Sequence, residues 1–331
     1  MKTDEFDYDL PDAAIAQTPV EPRDAARLLV DRPGGAVDHH VRDLPDLLAP
    51  GDLLVVNDTR VIPARLHLTK ATGGHAEVLL AERTGLRTWN ALVRPGRRLP
   101  PGTVLEHEGQ PVVEVGEVLP DGDRAVRLLG DEEPLALVGR IGAVPLPPYI
   151  TEPLGDPERY QTVFADRPGS AAAPTAGLHL TDAVLERCRQ RGIAIATVDL
   201  EVGLGTFAPI RAEEVEDHVV HTERYAIPAE TVAAVDAAER VVAVGTTVVR
   251  TLESWAATGA TEGPTDLYLR RGHRFAKVDV LLTNFHVPRS SLLVLVDAFI
   301  GDRWRDLYAT ALERGYRFLS FGDAMLLERA P

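Results

Sequence analysis

Apolar residues recur along this chain with two different periods, and the change of period divides it. From about residue 182 onward, segments of helical spacing alternate with short β-branched runs. Residues 182–191 read as a helix that Thr181 can cap and Gly192 can end, with Val184, Leu185 and Cys188 on one face. Residues 193–200 then predict a buried strand. A second helix spans 229–240 with Val232 and Val235 inward, and 241–244 is the next strand. That strand turns at Gly245-Thr246-Thr247 into a third helix, whose buried stripe is Val249, Leu252 and either Trp255 or Ala256. A strand at 278–283, helices at 290–300 and 302–314, and a last strand at 317–321 complete the series. This β/α rhythm implies a largely parallel sheet covered by helices.

Between about 63 and 147 the helical period disappears. Short segments at 77–81, 88–93, 103–107, 112–118 and 124–129 are separated by Gly, Pro and Asp turns. Trp89, Ala91 and Val93 alternate with polar neighbours, as Val126 and Leu128 do around Arg127, which is the pattern of an antiparallel barrel or sandwich. A stiff, proline-rich stretch at 145–149 reads as the return linker. Upstream, 52–56 is a strand that leads into Asn57-Asp58-Thr59-Arg60. The fold expected is therefore an α/β domain built from both chain ends, residues 1–62 plus 148–331, with an inserted antiparallel β-barrel domain at 63–147.

Composition narrows the class. A length of 331 residues favours two domains, and 45% apolar residues suffice for real cores. A single cysteine, Cys188, excludes an internal disulfide framework and a cysteine-rich metal site. No apolar run approaches the ~20 residues of a membrane span, and the acidic start lacks a signal-peptide pattern. The cytoplasm is the expected location. A net charge of −15 argues against non-specific binding to nucleic acid but leaves room for a local basic face. Arg94, Arg97 and Arg98 form one such cluster; Arg270, Arg271, Arg274 and Lys277 form another. Solvated loop charges are the plain alternative for each.

Candidate chemistry gathers at the predicted strand ends, where open α/β sheets place their ligand crevices. Asn57-Asp58-Thr59-Arg60 follows one strand, Glu201 to Phe207 another, Gly245-Thr246-Thr247 a third and Asn284-Phe285-His286 a fourth; Gly322-Asp323 follows the last. The segment 173–180, with Thr175, Gly177 and His179, has the same character: glycines that admit close approach, and groups that hydrogen-bond or carry protons. Gly245-Thr246-Thr247 opens a helix, so its free N–H groups suit a carboxylate or phosphate, although a simple threonine cap explains it equally well. Neither a Gly-x-x-x-x-Gly-Lys phosphate loop nor a Gly-x-Gly-x-x-Gly dinucleotide turn is present, so ATP hydrolysis and hydride transfer lose support. His218 and His221 beside acidic residues hint at a metal, but no third ligand site is evident and none is expected. His39 and His40 fall in a Gly/Asp-rich stretch that reads as a surface loop.

These segments closely resemble the S-adenosylmethionine:tRNA ribosyltransferase-isomerase family of queuosine biosynthesis. The likeness runs from Phe6-Asp7-Tyr8-Asp9-Leu10-Pro11 to Gly322-Asp323-Ala324-Met325, through Arg23-Asp24, 51–66, 145–150 and 159–163. It implies an α/β domain with an inserted β-barrel. It also implies a reaction: the ribosyl portion of S-adenosylmethionine moves onto 7-aminomethyl-7-deazaguanine at the tRNA wobble position. The sugar is rearranged to give epoxyqueuosine, and adenine and methionine leave. S-adenosylmethionine is then a co-substrate, and no metal or redox cofactor is implied; a monomer is expected. Such chemistry needs a base for the carbon beside the sulfonium, a proton donor for adenine and polar groups for the opened sugar. His179, Glu201, His221, His286, Asp58 and Asp323 are the candidate catalytic groups. Arg60, Thr175, Gly177, Gly203, Gly205, Thr206, Phe207, Gly245, Thr246, Thr247, Asn284 and Phe285 are candidates for binding, with Phe207 and Phe285 either stacking on adenine or serving as core. His179 and Glu201 are expected to face one pocket. The chain departs from the family pattern at Glu201, where a histidine is usual, and at Leu180, Ala26 and Val248. The alternatives are a relative that uses a small deazapurine acceptor and a non-catalytic RNA-binding relative.

Overall fold

The computed structural model describes residues 1–120, 122–203 and 209–330, with the Arg97 side chain left out. The chain forms two compact units: residues 1–59, 147–167 and 173–331 make one, and 60–146 with 168–172 make the other. Residues 168–172 thus cluster with the second unit, where the sequence places them in the first.

Among the described residues, the first unit is built on a nine-stranded sheet. In chain order its strands are β1 (Arg27–Val30), β2 (Val37–His40), β3 (Asp52–Asn57), β4 (Ala194–Leu200), β5 (Glu223–Ala226), β6 (Arg240–Val244), β7 (Glu262–Thr265), β8 (Val280–Asn284) and β9 (Ala324–Glu328). Across the sheet they run β7-β5-β4-β3-β6-β8-β9-β1-β2. The central four, β4, β3, β6 and β8, are mutually parallel. β3 is buried along its whole length because both faces are covered, which is why its sequence is a continuous apolar run rather than an alternating one.

The helices are α1 (Asp182–Gln190), α2 (Ala229–Ala237), α3 (Thr246–Thr258), α4 (Ser291–Ile300) and α5 (Arg303–Glu313). Val184, Leu185 and Cys188 of α1 join Leu54, Val56, Val242, Val244 and Leu282 in one core on a single face of the sheet. Each fully buried Leu or Val there contributes roughly 1.5–3 kcal/mol of transfer free energy. Thr181 caps α1 by accepting from the Val184 N–H at 3.2 Å, and Ser290 caps α4 from the Leu293 N–H at 3.2 Å. On α3, Val249 and Leu252 are fully buried and Trp255 completes the stripe, while Ala256 is exposed.

Two expectations are corrected here. Residues 317–321 are not a strand: the chain turns at Leu319, which sits at φ 69°, and Gly322 is so tightly placed that a Cβ would lie 2.5 Å from the Phe318 carbonyl carbon. The last strand is β9, antiparallel to β8 with Asn284 opposite Ala324. Gly322-Asp323 therefore precedes that strand, and the reversed direction still brings it to the carboxyl end of β8. His39 and His40 lie on the edge strand β2, not in a loop, with His40 exposed.

In the second unit six antiparallel strands, 65–70, 75–83, 88–94, 124–128, 110–118 and 103–107, close into a barrel through pairing of the first with the last. A helix that the sequence does not suggest, Pro134–Ile141, also belongs to this unit. Its two turns are too short to establish a visible period.

Candidate active site

Parallel strands end at one edge of a sheet, so the segments after β3, β4, β6 and β8 share that edge with the entry to β9. A cleft lies there, at the sheet edge where open α/β folds bind their ligands. Of the sequence candidates, Thr175, Gly245, Thr246, Thr247, Asn284, Phe285 and His286 line it. Gly245 shapes it: at φ 91° and ψ 156° it occupies a conformation open essentially only to glycine, which lets the chain leave β6 and enter α3 at once. No side chain caps the first turn of α3. Its Thr246 and Thr247 face the cleft.

A hydrogen-bonded relay runs from the cleft wall inward. Thr175 Oγ1 donates to Asn284 Oδ1 at 2.8 Å, and Asn284 Nδ2 reaches His179 Nε2 at 3.0 Å and the Asp323 carbonyl at 3.3 Å. A carbonyl can only accept, so it fixes which end of the amide is nitrogen. Asn284 therefore donates to His179 Nε2, the imidazole carries its proton on Nδ1, and the Thr175 oxygen turns its lone pairs to the cleft. Burial lowers the His179 pKa to about 4, with help from the nearby Arg317, Arg159 and Arg23 charges, and lowers that of His286 to about 3. Both rings are neutral near pH 7. His286 Nε2 bonds Thr283 Oγ1 at 2.9 Å, and its backbone is held by Tyr308 and Tyr8.

Other candidates have different surroundings. Phe285 is fully buried, stacked on Phe318 at 4.6 Å and edged by Tyr308 and Tyr316, so its ring belongs to an aromatic core rather than to a stacking platform. Asp323 accepts the Arg27 N–H at 2.9 Å and the Arg317 N–H at 2.8 Å, one on each oxygen, and pins β1 to the turn before β9. Gly177 is buried against Phe164 and Thr162, with no room for a Cβ. Gly203 donates its N–H to Glu223 Oε1 at 2.9 Å. Arg60 belongs to the second unit. Gly205, Thr206 and Phe207 lie outside the described residues.

His179 and Glu201 do not share a pocket. Along β4 and just past it, residues alternate between faces, so Val202 lines the cleft while Glu201 and Asp199 turn the other way. Glu201 lies beside Asp199, Arg224 and Glu262. Burial, then the neighbouring Asp58 and Glu201 carboxylates, raise the Asp199 pKa to about 6; Asp58, mostly desolvated, is raised too. These acids form a cluster apart from the cleft.

His221 lines a second cleft of about 590 Å3, which shares Thr246, Thr247 and Leu292 with the first. Sequence reading missed its main polar groups. Arg250, one turn into α3, binds Glu223 at 2.6 Å, the His221 carbonyl at 2.9 Å and the Thr265 carbonyl at 3.1 Å. Tyr268 meets His218 edge-on at 5.7 Å. Also missed was Tyr149, whose hydroxyl meets that of Ser320 at 2.7 Å beside the first cleft. A helix-interior arginine and a tyrosine in a proline-rich linker carry no motif, so nothing local marked them. Among the described residues, no three His, Cys, Asp or Glu side chains converge as a metal cage.

Of the second basic cluster, three members are already engaged and the fourth, Arg274, is exposed. Arg271 holds Asp297 at 2.6 and 2.7 Å and Asp302 at 2.7 Å, Arg270 meets Glu216 at 3.2 Å, and Lys277 meets Asp236 at 2.9 Å. Arg94 and Arg98 are exposed.

Residues 3–327 match the model of a family described as queuosine biosynthesis protein. An S-adenosylmethionine:tRNA ribosyltransferase-isomerase of Rubrobacter xylanophilus is 55% identical over 332 residues, 99% of this chain and 98% of that protein. The protein of the same name from Moorella thermoacetica is 52% identical over 99% of this chain and all of its own length. The crystal structure of an S-adenosylmethionine tRNA ribosyltransferase from Thermotoga maritima aligns with a TM-score of 0.55 at 37% identity, covering 97% of this chain and 99% of that one.

Proposed function

The chain belongs to the queuosine biosynthesis protein family, and on that premise we propose that it is an S-adenosylmethionine:tRNA ribosyltransferase-isomerase. Its acceptor is 7-aminomethyl-7-deazaguanine at the tRNA wobble position, and its products are epoxyqueuosine-tRNA, adenine and methionine. One observation carries the reading: residues 173–176, 245–247, 284–287 and 320, all in segments that resemble the family, converge on a single cleft.

The residues suit the chemistry. The sulfonium charge acidifies the carbon next to it, and a group on the cleft wall must take that proton. His286 lies on the cleft wall with a neutral ring that can take up that proton, whereas His179 behind Asn284 carries its proton on Nδ1 and engages Nε2 with the Asn284 amide, so it positions that amide. Thr175 offers only lone pairs to the cleft, which suits an N–H or O–H of the nucleoside. The Tyr149–Ser320 hydroxyl pair supplies hydrogen bonds for the opened sugar. No metal or redox cofactor enters the scheme, so turnover survives chelation.

The acceptor is a polyanion, and the protein is acidic. Since Arg270, Arg271 and Lys277 are bound to carboxylates, phosphate contact is assigned to the exposed Arg94 and Arg98 of the first cluster and Arg274 of the second. Neutralising these three weakens tRNA binding and flattens its salt dependence. Among the described residues no helix is long and apolar enough to cross a membrane; we assign the protein to the cytoplasm, acting as a monomer.

The test uses S-adenosylmethionine labelled either in the ribose or in the methyl group, with tRNA bearing 7-aminomethyl-7-deazaguanine. Ribose label should enter the tRNA and methyl label should not. Methyl label in the tRNA overturns ribosyl transfer. Labelling of the free base but not of tRNA makes the acceptor a small molecule.

A further inference from the structure

The second cleft is not needed to hold a nucleoside, yet it collects polar atoms that lack partners. Thr247 Oγ1, Arg250 Nε and Tyr268 Oη are all buried without a hydrogen bond, and all three residues line it. Leaving such a group unpaired costs roughly 1–3 kcal/mol, so three of them around one cavity point to an absent partner. That partner is acceptor-rich. An arginine Nε–H can only donate, and the two hydroxyls are free to donate with it. The other nitrogens of Arg250 are held by Glu223, the His221 carbonyl and the Thr265 carbonyl, which fixes where its Nε–H points. The remaining wall is largely aliphatic, with Val220, Leu267, Leu269, Leu292 and Leu295, and adds His218, His221, Ser291 and the Glu223 carboxylate, whose charge Arg250 balances. A carboxylate on a short apolar stem fits both halves of this lining.

The location sharpens the chemistry. Thr246, Thr247 and Leu292 border both clefts, so one extended molecule can reach from the first into the second. S-adenosylmethionine has that form: a nucleoside joined through sulfur to an aliphatic chain that ends in an α-carboxylate. We propose that the second cleft is the carboxylate subsite of the sulfonium donor, in which Arg250, Tyr268 and Thr247 bind the amino-acid end while the nucleoside occupies the first cleft. The proposal rests on the functional reading above. The arrangement also separates the leaving methionine from the sugar, because the bond to sulfur then lies at the shared wall.

Removing an unpartnered hydroxyl disturbs little in the free protein, so Tyr268→Phe and Thr247→Val are the informative variants. Their affinities for S-adenosylmethionine and for 5′-methylthioadenosine, which lacks the amino-acid end, are measured by calorimetry, with thermal melts alongside. Each variant should bind S-adenosylmethionine roughly three- to tenfold more weakly, the loss of one hydrogen bond, and 5′-methylthioadenosine unchanged. Arg250→Lys keeps the charge beside Glu223 but loses the Nε–H, and should weaken S-adenosylmethionine at least as much. Equal weakening of both ligands, or of neither, overturns the subsite. A raised KM for the tRNA acceptor with unchanged donor affinity overturns it too and gives the cleft to the acceptor. Failure of the wild-type protein to bind S-adenosylmethionine at all overturns the functional reading, and the subsite with it.

Discussion

Replacing His179 by Gln tests the relay behind the cleft, because the two side chains share an acceptor position but only one titrates. Gln Oε1 can take the place of Nε2 and still receive the Asn284 N–H, so the fold should survive. The pKa of His179 is lowered in the folded state, to about 4, against roughly 6.5 in an unfolded chain. The sign follows from linkage: a proton binds the unfolded chain more tightly, so the stabilisation is complete above about pH 6.5 and is lost as pH falls toward the folded pKa. Between pH 7 and pH 5 the wild-type protein should lose about 2 kcal/mol through this one group. His286, lowered in the same direction, adds to the loss, and Asp199, raised to about 6, offsets part of it. Both are present in wild type and variant and cancel in the comparison. Urea unfolding of each protein at the two pH values measures it, in a Trp89→Phe background so that Trp255 and Trp304 report the α/β unit. The variant should lose about 2 kcal/mol less than wild type. Histidine 15N shifts should show the Nδ1–H form of His179 in the wild type. An identical pH dependence in the two proteins, or an Nε2–H ring, refutes the relay.

Three further outcomes follow from the same geometry. Glu201→Gln should leave turnover within about threefold, since Glu201 faces the acid cluster and not the cleft; by easing repulsion on Asp199 it should raise stability at pH 7–8 by no more than about 1 kcal/mol, read by urea midpoint. Arg271→Ala leaves the buried Asp297 with the Trp304 Nε1–H but without its ion pair and should cost about 1–3 kcal/mol in the same assay, while leaving tRNA affinity of the folded protein unchanged in a filter-binding titration. Gly245→Ala forces a Cβ into a conformation at φ 91° that only glycine accepts readily, and should cost about 1–3 kcal/mol by thermal melt together with weaker donor binding.

The central sheet was legible because strands buried on both faces must be continuous apolar runs, as β3, β6 and β8 largely are, while the partly buried β4 still shows through its β-branched residues. The edge strands were not. β7 reads Glu-Gly-Pro-Thr and β2 reads Val-Asp-His-His, and neither has a period because little of it is buried. The sequence places the last strand at 317–321, but Phe318 there stacks on Phe285, Phe321 meets Tyr160, and the backbone contact at Gly322 fixes a turn. For the site, Thr175, Gly245-Thr246-Thr247, Asn284 and His286 announced themselves as Gly, Thr, Asn and His in polar segments, most of them at strand ends. Asp323 carried the same signal, yet both its oxygens go to backbone N–H groups. Glu201 failed for a different reason: a one-residue step along a strand reverses the face, and sequence neighbours of a cleft residue therefore point away from it. Arg250 and Tyr268 come together only when α3 and the segment after β7 meet.

Ribosyl transfer of the kind proposed breaks S-adenosylmethionine at both the sugar–sulfur and the sugar–adenine bond. Chromatography of a reaction with modified tRNA measures this directly. Adenine and methionine should appear in equal amounts, each matching the tRNA converted. S-adenosylhomocysteine as the main nucleoside product, with no free adenine, would contradict it.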